Sequence, residues 1–499
     1  MMSAMFNSSR ILAVVRANLA YIYLALLTAG VLLVHGYHPG IEDAEIYVPG
    51  IKRILDPSLY PFGAEFFLNH ARLTLFAQTI AASIRLSHLS FDVAVFIWYL
   101  GCTFLTLLAC WRLSVELFRE SCARWAAVTM VAAVFTIPVA GTALYIEDQY
   151  LTSRSIVIFT ILFATCSALK QQKRWWMFWS VIALCIHPLM AVFGISFTLI
   201  LWWKHGNSSF DSAPLLMPAV WPFIDLLPAS SKAYESALAT RPYFFILQWQ
   251  WYEWLGALAP LVLFLLIARL AETRSQPKLA VLSRALVIYG FFYLVAALVL
   301  TIPARFETAA RFQPMRSLHL VYIMLFLLGG GILGEYILRR QVWRWIALFL
   351  PLCALMFFAQ CQLLPATPHI EWPDVAPQND WIRVFEWIRT NTPADALFAI
   401  DPQHMTKDDQ HGFRAIAERS RLADAVKDSG AATMFPETTA AVDWLEQLNA
   451  QSGWDHFREK DFRNLKSVYG VSWVVLQKPV AIGFPCPYEN PTLRVCRID

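Results

Sequence analysis

Residues 17–50 read ANLAYIYLALLTAGVLLVHGYHPGIEDAEIYVPG. The apolar run 17–35 is too long for the core of a signal peptide and carries no evident small-residue cleavage pattern. It therefore reads as an uncleaved membrane anchor. Directly behind it, Glu42, Asp43 and Glu45 crowd into four residues. A dense acidic cluster thus stands where the chain first leaves the bilayer.

The whole composition agrees with an anchor. The 499 residues are 58% hydrophobic and only 15% charged. Soluble domains average about 25% charged residues, so this chain has too little polar surface to coat a globule of its size. Mean hydropathy is +0.48. Apolar runs recur at about 17–35, 92–112, 125–141, 155–169, 175–203, 255–269, 285–303, 318–337 and 345–363. This pattern predicts an all-α polytopic transmembrane bundle of nine to eleven spans in the lipid bilayer. His187-Pro188 sits inside the long 175–203 run, so that run is either kinked or split. A split requires a further weak span near 213–228 to keep the tail on the same side.

Charge placement sets the expected orientation. Arg10, Arg16, Arg112, Arg119, Arg124, Lys170, Lys173, Arg174, Arg269, Arg274, Lys278, Arg284, Arg339, Arg340 and Arg344 fall in short loops on one side. The positive-inside rule makes that side cytoplasmic, with the N-terminus. Glu42, Asp43, Glu45, Glu147, Asp148, Asp211, Asp225 and Glu253 then face outward, as does the tail. A bacterial inner membrane with an extracytoplasmic C-terminal domain is the expected location. The net charge is only +4, with no compact basic stripe, so nucleic acid is excluded as a partner. Nine scattered cysteines without CxxC or Cys/His spacing exclude zinc and iron–sulfur sites. Cys486 and Cys496 are near enough to form a local disulfide, which an oxidising compartment permits.

The chain divides into a transmembrane domain, 1–365, with a long first outer loop at 36–91, a Pro-rich linker at 366–380, and a small α/β domain at 381–499. In the last, DWIRVFEWIRTN reads as an amphipathic helix stopped by Pro393. DALFAI (395–400), VSWVVLQ (471–477) and TLRVCRI (492–498) read as strands, and TTAAVDWLEQLNA as a helix.

Candidate chemistry gathers on the outer side. The first-loop acids follow Pro39-Gly40, so they open a helix. Spacing puts Glu42 and Glu45 on one face, with Asp43 about a quarter turn away. They either complement the helix dipole or supply a general base. The second outer loop, ALYIEDQYLTSRSI, repeats a Glu-Asp pair as Glu147-Asp148 with Arg154 behind it. Paired carboxylates suit a divalent cation such as Mg or Mn, or else an ion pair with Arg154. His187 is a functional candidate within a span, or a hinge residue. Arg305, Arg311 and Arg316 in RFETAARFQPMRSLH run against the positive-inside trend. Their forks fit a phosphate, or they snorkel to headgroups. The stretch 241–254, RPYFFILQWQWYEW, is an interfacial aromatic belt or a wall for sugar or lipid.

Taken together, the spans, the long first outer loop with GIEDAEI at its start and the outer α/β tail resemble the GT-C glycosyltransferase superfamily. That superfamily includes oligosaccharyltransferase catalytic subunits, protein O-mannosyltransferases and aminoarabinose transferases. The resemblance implies a polyprenyl-phosphate-linked sugar donor used on the outer face. It implies Glu42 or Asp43 as acceptor-binding or catalytic base, with Glu45 beside them, and Glu147-Asp148 as metal ligands. Arg311 or Arg316 would hold the lipid phosphate, with Arg154 and His187 nearby. HPGIEDAEIYVPG, EDQYLTSRS, CIHPLM, RPYFFILQWQWYEW and FQPMRS also resemble a group of uncharacterised bacterial membrane proteins. The chain lacks a DxD motif and the WWD-type motif of oligosaccharyltransferases, which argues against N-glycan transfer. Against the transferase stands a non-catalytic protein that binds or transports an envelope lipid or polysaccharide. Inverted repeats of Gly/Pro-broken spans, the usual mark of a transporter, are absent from the sequence. An envelope scaffold whose tail recruits partners is the third alternative.

Overall fold

The computed structural model describes residues 2–206, 230–301, 304–376, 378–434, 439–480 and 482–499. The weak span expected at 213–228, Asp211, Asp225 and the sequon Asn207-Ser208-Ser209 lie outside the described residues, as does the side chain of Arg305.

Among the described residues, five helices are long and apolar enough to cross a membrane: Phe91–Leu117, Trp251–Thr273, Pro277–Thr301, Thr308–Leu338 and Val342–Leu363. They mark the chain as an integral membrane protein. Shorter apolar helices occupy Leu19–His35, Ser153–Leu169 and Pro188–Lys204. The expected run 125–141 is corrected. Its helix, Ser121–Ala133, has 13 residues, giving about 20 Å of rise against the ~30 Å hydrocarbon core. A two-residue hairpin, β1 (Pro138–Val139) with β2 (Leu144–Tyr145), follows it. The 175–203 run splits at His187-Pro188, into Lys173–Ile186 and Pro188–Gly206. The proline cannot donate to the preceding turn, so the first helix ends there.

The segment 36–91 is structured, as its helical spacing predicts. Helices Ala44–Leu55, Glu65–Arg72 and Phe76–Ser87 fill it. The tail forms a five-stranded sheet from β3 (Leu397–Ala399), β4 (Ser420–Arg421), β5 (Trp473–Gln477), β6 (Tyr488–Glu489) and β7 (Leu493–Arg497), ordered β4-β3-β5-β7-β6. Strands β4, β3 and β5 run parallel, and β7 is antiparallel to both β5 and β6. Alternation along β5 and β7 sends Val475, Leu493 and Val495 to one face, against Trp381, Phe385 and Ile388 of the helix Asp380–Asn391. Val474, Leu476 and Cys496 face the other way, against Phe462 and Leu465. Helices on both faces of a partly parallel sheet make this an α/β unit. Cys486 and Cys496 are joined as a disulfide.

The linker is not a loose tether. Its Ile370 bridges Tyr37, and Ile41 bridges His411 of the tail. Glu371 accepts from His38 Nδ1 at 2.7 Å and from His411 Nε2 at 3.0 Å, while His411 Nδ1 meets Asp409 at 2.5 Å. His411 is fully buried. Burial opposes its charge, yet Glu371 and Asp409 raise its pKa to about 10. First loop, linker and tail are therefore fastened by one buried ionic chain.

Candidate functional site

The three first-loop acids diverge because the helix begins later than the spacing suggests. Its first residue is Ala44, Asp43 stands at the N-cap, and Glu42 adopts φ +52°. The left-handed turn at Glu42 removes it from the helix face, so Glu42 and Glu45 do not share one. This corrects the expected geometry. Glu45 points into the tail, where it accepts from the Ala415 amide at 3.1 Å and from Arg414 Nη1 at 3.4 Å. It is completely buried.

Asp43 is held between two loops and the tail. Arg154 Nη1 donates to its Oδ2 at 3.1 Å, and Lys427 Nζ to its Oδ1 at 3.2 Å. Lys427 also pairs with Glu42. Burial alone would raise the Asp43 carboxyl, but Lys427, Arg154 and Arg316 hold it far below the usual carboxylate range. Lys427 is likewise kept protonated, against its burial, by Glu42 and Asp43. Arg154 turns its other edge to Asp148, with Nη2 at 2.7 Å and Nε at 3.1 Å from Oδ2. One guanidinium therefore ties the first-loop acid to the second-loop acid.

The two carboxylates expected as metal ligands, Glu147 and Asp148, have different surroundings. Asp148 is engaged by Arg154 and by the Thr152 hydroxyl. Glu147 is buried, and burial, opposed by nearby Ser155, pushes its carboxyl up to about 8. Burial thus raises one carboxyl, and the other is paired with arginine. Among the described residues no group of three His, Cys, Asp or Glu converges to hold a metal ion.

Asp43, Arg154, His187 and Arg316 line a common cavity of about 90 Å³, together with His70, Arg241, Tyr243 and Lys427. Four cations, Arg154, Arg241, Arg316 and Lys427, thus face one lining carboxylate. Arg316 makes no ion pair with a described residue, and its Nε is buried without a hydrogen-bond partner. His187 sits at the break between its two helices, with its ring 6.2 Å from that of His70. His70 Nε2 has no hydrogen-bond partner, and burial lowers its pKa to about 4, so it is neutral. Arg311 is corrected: it does not line the cavity but stands behind its wall, 3.4 Å from the Met434 carbonyl. A smaller space of about 30 Å³ adjoins, sharing Arg154 and Arg316 and running among Val157, Ile161, Phe193 and Leu320.

Sequence reasoning missed Arg241 and Lys427. Arg241 heads the aromatic stretch and reaches the Ser429 hydroxyl at 3.0 Å and Tyr243 at 3.2 Å. It approaches so closely that a Cβ on Gly430 would lie 2.5 Å from its Nη2. Lys427 begins the helix Lys427–Met434, whose start is fixed by Asp424. Its carboxylate accepts from the amides of Val426 and Lys427, each at 2.7 Å. An Asp three residues ahead of a lysine signals a helix start, but nothing in that pattern signals a partner nearly 400 residues away.

Residues 379–449 match the family model described as a domain of unknown function, DUF6798. That segment includes Arg414, Asp424 and Lys427, the part of the tail that closes on the first loop. No curated protein matches the chain.

Proposed function

We propose that the chain is a membrane glycosyltransferase that takes a sugar from a polyprenyl-phosphate carrier and transfers it to an envelope acceptor on the extracytoplasmic side. The observation that carries this reading is the cavity itself. Four cations surround Asp43, and a smaller, mostly apolar space between helices shares Arg154 and Arg316 with it. A cationic cavity beside an apolar crevice suits an anionic headgroup with a hydrocarbon tail. The Cys486–Cys496 disulfide is consistent with a tail in an oxidising compartment.

In this mechanism Arg316, Arg154, Arg241 and Lys427 hold the phosphate and stabilise charge developing on it as it leaves. The acceptor oxygen bonds to the anomeric carbon. The carbon–oxygen bond to phosphate breaks, and the phosphate keeps the electron pair. The acceptor proton passes to Asp43. Paired with Lys427 and Arg154, Asp43 is a weak base. Bound phosphate competes for both cations, which raises the basicity of Asp43 when a donor is present.

The same ion pairs favour a second reading, a protein that binds or moves a lipid phosphate without chemistry. One experiment separates the two. Envelope glycans are compared by mass spectrometry between cells with wild-type protein and cells with Asp43→Asn, while farnesyl phosphate binding is measured on both purified proteins. Transfer predicts that the variant binds the probe but that its glycan product falls by about 100-fold or more. Unchanged glycans from a stably folded variant would leave only the binding role.

A further inference from the structure

A second cavity lies on the other side of the helix Ala44–Leu55. It encloses about 650 Å³, within the range of small-molecule sites. Val48 and Lys52 line it, whereas Ile46 and Tyr47 of the same helix face the cationic cavity. Its other walls are the head of the helix Phe91–Leu117, the linker around Trp372 and the helix Asp380–Asn391.

Its charge is opposite to that of the first cavity. The two lining cations, Lys52 and Arg389, are both spent on Glu418, at 2.7 Å and 3.9 Å. Glu371 is committed to His38 and His411. Asp92, Asp374 and Glu386 remain, and their carboxylates have no ion pair or hydrogen bond with a described residue. A helix dipole accounts for Asp92, in the first turn after Ser90. It does not account for Glu386, which lies in the middle of its helix. Asp92 and Glu386 both line this cavity, and burial raises the Glu386 carboxyl, with Arg389 opposing and Asp92 adding to the rise.

A second feature is independent of the acids. Tyr37 is only 1% exposed, lines this cavity, and its hydroxyl has no hydrogen-bond partner. Its ring packs edge-on to Phe96 at 5.0 Å, and Phe96 packs on Trp372 at 5.8 Å. Trp372 nevertheless stays 49% exposed at the mouth. The cavity thus combines unpaired carboxylates, an orphan phenol and aromatic faces.

We propose that this cavity binds the ammonium group of a small ligand, either an amino sugar or an aminolipid headgroup. An ammonium has three donors and no acceptor, and carboxylates with a phenol oxygen match that set. Aromatic faces attract the same cation through their quadrupole, as the Phe91 ring already does with the Lys52 ammonium at 4.8 Å. A neutral ligand would leave Asp92 and Glu386 mutually repelling, whereas a cation between them relieves that repulsion.

The test uses the full chain purified in detergent. Glucosamine and phosphatidylethanolamine are the probes, and N-acetylglucosamine and N-acetylphosphatidylethanolamine the controls that lack only the ammonium. Calorimetry reads the sugars and native mass spectrometry the lipids. At least one amine probe is expected to bind at least about tenfold more tightly than its acetylated control, and the arm that does so names the source. Glu386→Gln, whose carboxylate has no ion pair or hydrogen bond with a described residue, and Trp372→Leu, which keeps an apolar contact for Phe96, are each expected to weaken that binding about tenfold. Equal binding of amine and acetylated probes in both arms would overturn the proposal. So would unchanged amine binding in both variants.

Discussion

Glu42, Asp43 and Glu45 sit almost side by side in the chain, yet each has a different environment. Glu42 lies at the mouth with Lys427, Asp43 lines the cationic cavity, and Glu45 is buried against Arg414 and the Ala415 amide. Burial raises the Glu45 carboxyl to about 7, with Arg414 opposing. A carboxyl raised in the folded state stabilises the protein fully below its ordinary value of 4.5, and that contribution is lost as pH rises through 7. Glu45→Gln keeps the neutral form at every pH. Denaturant titrations from pH 4.5 to 7.5 are therefore expected to show the wild type losing up to about 3 kcal/mol relative to the variant. Parallel stability curves would show that Glu45 stays charged, paired to Arg414. The sequence made the acidic cluster visible and pointed to Asp43 and Arg154. It could not sort the three acids, because one left-handed residue, Glu42, decides which side chain faces which way. Nothing local to HPGIEDAEI encodes that turn except the residues it later meets.

Elements packed within the bundle follow small-residue logic rather than charge. The helix Leu318–Leu333 lies on Ser121–Ala133 with glycines at the contact. A Cβ on Gly330 would lie 2.7 Å from the Ala126 carbonyl, and one on Gly334 2.8 Å from the Ala123 Cα. Gly329, on the other face, meets nothing within 4 Å. Close approach of backbones is what small residues permit between helices in lipid. Gly330→Ala and Gly334→Ala are each expected to cost about 1–3 kcal/mol, because backbone atoms must move apart. Gly329→Ala should be neutral or slightly stabilising through helix propensity. Thermal unfolding in detergent checks this, and equal midpoints for all three variants would refute the packing account. Long apolar helices and the break at His187-Pro188 were legible, since hydropathy and a proline both act locally. The short helix Ser121–Ala133 was not. Its apolar continuation into Phe135 and Ile137 looks like more helix, but the chain turns there into the β1–β2 hairpin, where distant residues meet it: the Thr136 hydroxyl bonds to His35 Nδ1 and Gln360 Nε2, each at 2.8 Å.

At the scale of the whole molecule, the tail is part of the site rather than an appendage. The strands and helices of the tail could be read from residue alternation, because period-2 and period-3.6 patterns are local. Its docking could not be read, since the chain His38–Glu371–His411–Asp409 and the clamp of Lys427 on Glu42 and Asp43 join residues hundreds of positions apart. The docking has a consequence for binding. Lys427 supplies one of four cations from a domain that a tail serving only as a scaffold would keep out of the cavity. Lys427→Met keeps the length of the stem and removes only the charge. Two effects follow from the geometry. Asp43 loses the strongest influence lowering its carboxyl, so its pKa climbs back toward the ordinary carboxylate value. Farnesyl phosphate, which needs the cations, should bind about tenfold more weakly. The two readouts, a carbon-labelled Asp43 titration by NMR and calorimetric binding, are linked by one charge and must move together. A variant that shifts the Asp43 titration yet binds the probe as well as wild type would show that the phosphate lies elsewhere. The tail would then act on Asp43 alone.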